Sequence, residues 1–457
     1  MVHKIKVHFL GGSGTVTGSK FLIEAPNTNI LVDCGLFQGL KELRVLNWQP
    51  LPYDASKIDT VLITHGHLDH VGYLPLLHKQ GFKGNIWATA PSIDIAEIIL
   101  TDTAKIQEED AEHANKEGYS KHSPAKPLYG MEDVENVLPL FKMARLGEWF
   151  QIAEGVRVKF RYNGHILGAC FIELELFKKR FVFSGDIGRM GDAVLYDPET
   201  PNEADYLFLE STYGGKAHPE ENPEEFVAEL IHNIVHTGGT LIIPSFAVER
   251  AQYLMYLLFL LYRSGNIPKI AMVLDSPMGN KVFSLFRKYE SWHKISTSEL
   301  NSIENIFKIT QDFAETWQVL DDPRPKVIIA GSGMLSGGRV LTYLKHLLDD
   351  VRTTILLPGF MAPGTRGRAM LEGAIELKIH GRFYPVKAKV YQLQSLSAHA
   401  DGPDLLNWVS AIKNIPEKIF LVHGEDEALS ALKKDIENSF RYHCYIPKLN
   451  EVVTLYV

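Results

Sequence analysis

Cysteine is scarce in this sequence: three residues in 457, Cys34, Cys170 and Cys444. An odd, widely spaced set builds no disulfide framework and suits a reducing compartment, so a cytoplasmic location is expected. Positive charge is not in surplus either. With 47 Lys and Arg against 55 Asp and Glu the formal charge is −8, so no molecule-wide basic field announces a nucleic-acid partner, and any basic surface must be local. Long hydrophobic runs are missing as well. The longest, YLMYLLFLLY at 253–262, is half of the roughly 20 residues a membrane span needs; it predicts a buried helix and no membrane association. The opening MVHKIKVHFLGG alternates polar and apolar residues like a strand and has no apolar h-region, so no signal peptide is expected. Internal repeats and low-complexity tracts are absent.

What is present is a chain too long for one ordinary core, with 45% apolar and 22% charged residues, which predicts two domains. Up to about residue 100 the pattern is rich in short β-branched runs broken by Gly, Asn and Asp: KVHFLGG, KFLIEA, NILVDCG, TVLITHG. A helix is expected over roughly 92–115, and the polar AEHANKEGYSKHSPAKP (111–127) reads as a surface excursion. Strands resume at VRVKFRYNGH, ACFIELELF and RFVFSGD and end with DYLFLES near 211. Beyond it helix and strand alternate with short Gly or Pro turns, which predicts a parallel sheet wrapped by helices. After about 372 the β-rich style returns, followed by the helix DLLNWVSAI, the strand KIFLVHG and the helix DEALSALKKDIENSF. The expected organisation is therefore a first domain of residues 1–211, an α/β insertion of 212–371, and completion of the first domain by 372–457.

The densest chemistry lies in THGHLDH, Thr64 to His70, directly after the apolar run TVLI. Three histidines and an aspartate stand within six positions, and imidazole and carboxylate are the ligands that catalytic zinc prefers. On a loop leaving a strand, residues two apart, His65 and His67, can converge on one ion while Asp69 and His70 turn toward a second. A polar turn, or a helix start capped by Asp69, is the plainer reading; one histidine would suit it, three with an aspartate do not. More donors are needed, and His165 in NGHILGA, Asp186 in VFSGDIGR and His423 in IFLVHGE each follow an apolar run. Asp186 has two oxygens with which to bridge two cations. Asp33 in ILVDCG suits a place behind the ligands, orienting a histidine or a metal-bound water.

Asp33, THGHLDH, His165 and Asp186 together resemble the metallo-β-lactamase superfamily, whose fold is an αββα sandwich with a dinuclear metal site. The later blocks LESTYG (Glu210), SAHAD (His399) and LVHGE (His423), set around an inserted α/β segment, resemble its β-CASP branch of nucleases, in a short form similar to the cleavage and polyadenylation nuclease. The resemblance spans essentially the whole chain. It implies that His65, His67 and His165 hold one zinc, that Asp69, His70 and His423 hold the other, and that Asp186 bridges them, with manganese as a substitute. Branch members with histidine at the His423 position resemble RNA nucleases, and DNA-directed ones usually carry valine there. Asp69 and Asp186 then belong to the catalytic set together with His399, as proton donor to the leaving oxygen, and Glu210, as the carboxylate that holds the His399 ring. A strand-end salt bridge for Glu210 and a helix cap for His399 are the structural alternatives.

The implied activity is hydrolysis of RNA, mainly internal with 5′-exonuclease trimming as a second mode, on single-stranded RNA, by a monomer or homodimer. A thioesterase or lactonase on the same sandwich, and a binding subunit of an RNA-processing complex, are the alternatives. In the insertion, IIAGSGMLSGGRVLTYL runs a strand into a Gly-rich loop and a helix, so Ser332 and Gly333 are candidates to receive a phosphate, with Ser245 and Arg250 of PSFAVERAQ and Arg368 of LPGFMAPGTRGRAM. The glycine spacing departs from a dinucleotide-binding fingerprint at Ser336. Arg250 can equally pair with Glu249. Where the related motif has Gln-Ala after the aromatic, this chain has Met361.

Overall fold

Two seven-stranded sheets, each with a hydrophobic inner face, account for most of the first half of the chain and its C-terminal end. The structure is a computed structural model that describes residues 2–117, 123–359, 361–362 and 364–457. One sheet has the spatial order Val452–Tyr456, Lys4–Gly11, Lys20–Ala25, Thr28–Val32, Thr60–Leu62, Asn85–Thr89, Phe141–Ala144. The other runs Cys444–Tyr445, Lys418–Val422, Tyr206–Glu210, Lys179–Phe183, Cys170–Leu176, Val156–Tyr162, Phe150–Ala153. Their inner faces meet in a core that includes Val7, Phe9, Phe21, Phe160, Phe183, Phe208 and Phe420. Strand alternation then decides what covers the outside. Along Tyr206–Glu210, Tyr206 and Phe208 enter that core, while Leu207 and Leu209 face the opposite way and pack with Leu405, Trp408, Leu429 and Leu432 of the helices Gly402–Ser410 and Asp426–Phe440. The helix Ala90–Glu117 packs on the outer strands of the first sheet. The layers are helix, sheet, sheet, helix, as expected.

A second compact unit holds a six-stranded sheet, all parallel, in the order Phe307–Ile309, Ala271–Asp275, Lys326–Ala330, Thr240–Pro244, Thr354–Pro358, Lys389–Leu393. Its four inner strands are buried on both faces and read as mainly apolar runs such as TLIIP and KVIIA, while the edge strands Phe307–Ile309 and Lys389–Leu393 are partly exposed. YLMYLLFLLY forms most of the helix Arg250–Arg263, with Leu254, Met255, Leu257, Leu258, Phe259 and Leu261 buried. Among the described residues no helix is long and apolar enough to cross a membrane. Asp275, fully buried, ties the end of its strand to neighbouring helices: its oxygens accept from Thr310 (2.6 Å), Thr316 (2.8 Å), Arg339 (2.5 Å) and Tyr343 (2.5 Å). Four donors on one carboxylate satisfy a charge that burial would otherwise penalise.

The unit boundaries differ from those read in the sequence. The first unit comprises Met1–Asp192, Asp197–Ala217 and His399–Val457, and the second Ala193–Tyr196 and His218–Ala398. Residues 372–398 therefore belong with the insertion. The reason is strand Lys389–Leu393, which pairs parallel with Thr354–Pro358 as the sixth strand of that sheet; β-character alone does not say which sheet a strand joins. The expected surface excursion at 111–127 is also altered. Its first seven residues continue the helix to Glu117, residues 118–122 lie outside the described ones, and Asn115 holds Ala125 through both its amide atoms (2.9 and 2.7 Å). Residues 360 and 363 of LPGFMAPGTRGRAM are likewise outside the described residues, while Met361 is buried in the second unit's core.

Candidate metal centre

Parallel strands leave a sheet at one edge, and that brings distant residues of the first unit together. Thr28–Val32 and Thr60–Leu62 are parallel neighbours, and the chain leaves them through Asp33 and through Thr64 to His70. In the facing sheet Lys179–Phe183, Tyr206–Glu210 and Lys418–Val422 are mutually parallel, so Asp186, Glu210 and His423 emerge together. His165 arrives on the loop between Val156–Tyr162 and Cys170–Leu176. His67 is the residue before the short helix Leu68–Val71, which carries Asp69 and His70. Gly66 lets this loop lie on the long helix, since a Cβ there would stand 2.6 Å from Ile95 Cγ2 and 3.3 Å from the Ala96 nitrogen.

Three donor groups result among the described residues. His65, His67, His165 and Asp186 form the first and Asp69, His70 and His423 the second; Asp186, Glu210 and His399 form a third, which shares Asp186 with the first. In the first, His67 Nδ1 lies 3.1 Å from His65 Nε2 and 3.3 Å from His165 Nε2, and Asp186 Oδ2 is 3.6 Å from both of those Nε2 atoms. In the second, Asp69 Oδ2 is 3.9 Å from His70 Nε2 and 3.5 Å from His423 Nε2. Asp186 Oδ1 reaches this group, 3.4 Å from His70 Nε2 and 3.4 Å from His423 Nδ1. One carboxylate thus faces both.

The arrangement meets the requirements of a cation better than those of a hydrogen-bond network. His70 Nε2, Asp186 Oδ1 and His423 Nε2 are buried and have no hydrogen-bond partner among the described residues, an expensive condition without a ligand. Spacings of 3.1 and 3.3 Å between imidazole nitrogens approach the edge of a tetrahedron with zinc–nitrogen bonds of about 2.0–2.1 Å, roughly 3.3 Å. Electrostatics agree. Burial, with His70 nearby, pushes His65 well below the usual histidine range, and burial lowers His67 to about 4, so both rings keep a lone pair. At His70 burial is outweighed by Asp186, Asp33 and Asp69, which raise it well above its ordinary value; a cation arriving at Nε2 would release that proton.

Around the donors stands a supporting shell. Asp33 Oδ2 lies 2.7 Å from His70 Nδ1, and its Oδ1 accepts from the Thr64 amide (2.8 Å) and hydroxyl (3.0 Å). Asn163 donates to the carbonyls of Ser184 (2.7 Å) and Asp186 (2.5 Å), fixing the loop that presents Asp186. His399 and Glu210 form a separate pair: Nδ1 is 3.2 Å from Oε1, and the carboxylate also accepts from the amides of Ile187 (2.6 Å) and Thr212 (3.2 Å). The His399 ring lies 4.4 Å from that of His165, centroid to centroid. Burial opposes charge on His399, but Glu210, then Asp186 and Asp69, outweigh it and raise the ring to about 9.

All eight of His65, His67, Asp69, His70, His165, Asp186, His399 and His423 are thus gathered, with Asp33 and Glu210 behind them. The residues read as phosphate contacts lie in the second unit and fare differently. Ser332 accepts from the amides of Ser336 and Gly337, both at 3.1 Å, and so shapes its own loop; Gly333 packs on Phe246, next to Ser245. Arg250 is a correction. Its guanidinium is buried, donates to the Pro358 carbonyl at 3.0 Å and lies 3.7 Å from Glu249, so its charge is used inside the fold. Arg368 pairs at 2.6 Å with Glu372, the residue that ends its helix Arg366–Leu371. Thr64 and Asn163 stand inside THGHLDH and YNGH but carry no metal-ligand signal of their own; Lys20, buried close to Asp69, follows no pattern at all.

Comparison with known proteins agrees with this geometry. Residues 14–221 match the metallo-beta-lactamase superfamily, 251–370 the Beta-Casp domain, and 384–447 the Zn-dependent metallo-hydrolase RNA specificity domain. The chain is 35% identical to Ribonuclease TTHA0252 of Thermus thermophilus over 434 residues, covering 93% of this chain and 94% of that one. It is a member of the β-CASP metallo-β-lactamase ribonuclease family. This β-CASP chain is also 29% identical to Transcription termination factor FttA of Methanocaldococcus jannaschii, across 97% of itself and 70% of that protein, and 28% identical to Integrator complex subunit 11 of Gallus gallus, across 99% and 74%. A solved protein of unknown function from Enterococcus faecalis shares the fold, with TM-score 0.53 and 14% identity over 99% of this chain and 100% of that one.

Proposed function

We propose that this β-CASP enzyme hydrolyses the phosphodiester bonds of single-stranded RNA with two divalent metal ions, zinc by preference and manganese as a substitute. His65, His67 and His165 would hold one ion, Asp69, His70 and His423 the other, and Asp186 both. Bound there, such a pair generates a nucleophile near neutral pH and neutralises the phosphoryl oxygens. The chain's own residues do the rest. Asp33, against His70 Nδ1, fixes that ring so that Nε2 points at Asp69 and Asp186. Glu210 holds His399 by Nδ1 and favours its protonated form, so the proton for the leaving sugar oxygen comes from Nε2. The proposal extends to internal cleavage with 5′-end trimming, to action in the cytoplasm, and to a monomer or homodimer.

The observation that carries this reading is that His65, His70, His165 and His423 converge on the Asp186 carboxylate, with His70 Nε2, Asp186 Oδ1 and His423 Nε2 buried and without a hydrogen-bond partner among the described residues. RNA is the substrate class favoured by the match to the RNA specificity domain and by the names of the relatives. The test is a digest of end-labelled single-stranded RNA bearing 5′-hydroxyl, monophosphate or triphosphate ends, with added Zn²⁺ or Mn²⁺ and with chelator. Metal-dependent cleavage is expected. Thioester or lactone turnover without RNA cleavage would move the assignment to a small-molecule hydrolase. Two bound ions with no cleavage of any RNA would move it to a binding subunit.

A further inference from the structure

Residues 38–49 take no part in the chemistry above. They form a protrusion whose helix, Lys41–Leu46, buries none of its side chains. Leu40 is 47%, Val45 48% and Trp48 61% exposed. Lys41 and Arg44 are exposed beside them, and among the described residues neither has an ion-pair partner and Trp48 stacks on no ring. Three large apolar side chains exposed within nine positions, beside two cations, make this segment a candidate binding surface.

The protrusion is clamped at both ends. The Asn47 side chain, itself buried, accepts from the Phe37 amide (2.9 Å) and donates to the Phe37 carbonyl (2.8 Å). Tyr73 donates to the Gln49 carbonyl (2.9 Å). Phe37 and Tyr73 in turn flank the buried Lys20 ammonium, at 4.4 and 5.2 Å, which donates to the carbonyls of Gly18 (3.0 Å) and Gly35 (2.6 Å). These clamps adjoin the metal centre. The Cys34 amide donates to the His70 carbonyl at 2.7 Å, and Tyr73 stands three residues beyond His70. A rigid surface with an open indole and two unpaired cations is therefore built onto the same stretch of backbone as the second donor group.

We propose that residues 38–49 are a fixed lip that grips single-stranded RNA beside the metal centre, with a base stacked on Trp48 and neighbouring phosphates on Lys41 and Arg44. The proposal rests on the RNA reading above. Stacking on an aromatic face together with phosphate neutralisation is how single strands are held without regard to sequence. A second copy of this chain is a poorer occupant. A two-fold contact would set this patch, with two cations and only Glu42 as an acid, against itself.

Steady-state cleavage of a short single-stranded RNA by the full-length, metal-loaded protein tests the lip. Trp48→Ala is expected to weaken the reaction roughly tenfold, carried by KM and not by kcat, and Trp48→Phe to restore most of it. The double variant Lys41→Ala/Arg44→Ala is expected to reduce the slope of log(kcat/KM) against log[salt] by about 1.4, the contribution of two single-strand phosphates. Wild-type KM and wild-type salt slope in these variants, with RNA still cut, overturn the lip and leave the ribonuclease intact. A Trp48→Ala protein that sediments as a smaller species at unchanged KM makes the patch a self-association surface. A wild-type protein that cuts no RNA removes the parent reading itself, before any variant is compared.

Discussion

His399 shows how much one side chain depends on its neighbours. Its ring is raised to about 9 because Glu210, Asp186 and Asp69 outweigh burial. In a metal-loaded site the cations would offset Asp186 and Asp69, leaving Glu210 as the main support of the protonated ring. A histidine that donates a proton is active while protonated, so the rate should fall as pH rises through its pKa. Glu210→Gln removes the remaining support, and the alkaline limb of the pH–rate profile is expected to move to lower pH. His399→Ala is expected to lose about 10²- to 10⁴-fold in kcat while metal analysis finds the same ion content. An unshifted alkaline limb in the glutamine variant would show that Glu210 does not govern the proton donor.

At the scale of elements, the second donor group depends on backbone packing that no ligand residue reports. The segment after Asp33 is threaded between Ser19 and the helix Leu68–Val71: the Ser19 amide donates to the Asp69 carbonyl (2.8 Å) and the Gly35 amide to the Ser19 carbonyl (3.0 Å). A Cβ on Gly35 would stand 1.5 Å from the Asp69 carbonyl oxygen, a backbone contact that no rotamer relieves. Gly35→Ala should therefore cost about 1–3 kcal/mol in urea unfolding, the usual range for overpacking. Because the displaced backbone carries Asp69 and His70, the bound-metal content should fall. Loss of stability with full metal content would place the strain elsewhere.

For the whole molecule, the relevant facts are two compact units and a net charge of −8. The donor groups lie entirely in the first unit, whose folded form alone assembles them, so metal binding stabilises that unit by linkage, about 4 kcal/mol at a thousandfold excess over Kd. Calorimetry with and without chelator should show one transition shifted down and the other unmoved. A single transition that moves as a whole would mean the units unfold together. The overall negative charge also makes local cations decisive, since the global field works against an RNA strand at every distance the salt leaves unscreened.

By itself the sequence determined the class of fold and singled out the metal-ligand candidates. A crowd of imidazoles after TVLI has few uses besides metal, and apolar runs alternating with helices imply sheets covered by helices. The metal-ligand candidates were legible because each stands at the end of a recognisable strand, where a side chain must leave the sheet. Tertiary structure alone decided the rest. Arg250 looked like a phosphate ligand, and only packing shows its charge turned to Pro358 and Glu249. KVYQL reads as a strand of either sheet, and only pairing assigns it to the insertion. Lys20 and the lip it supports follow no motif, because what defines them is which groups remain exposed once every other one has found its partner. Linear order records residue types and spacing; burial and leftover surface are properties of the completed packing.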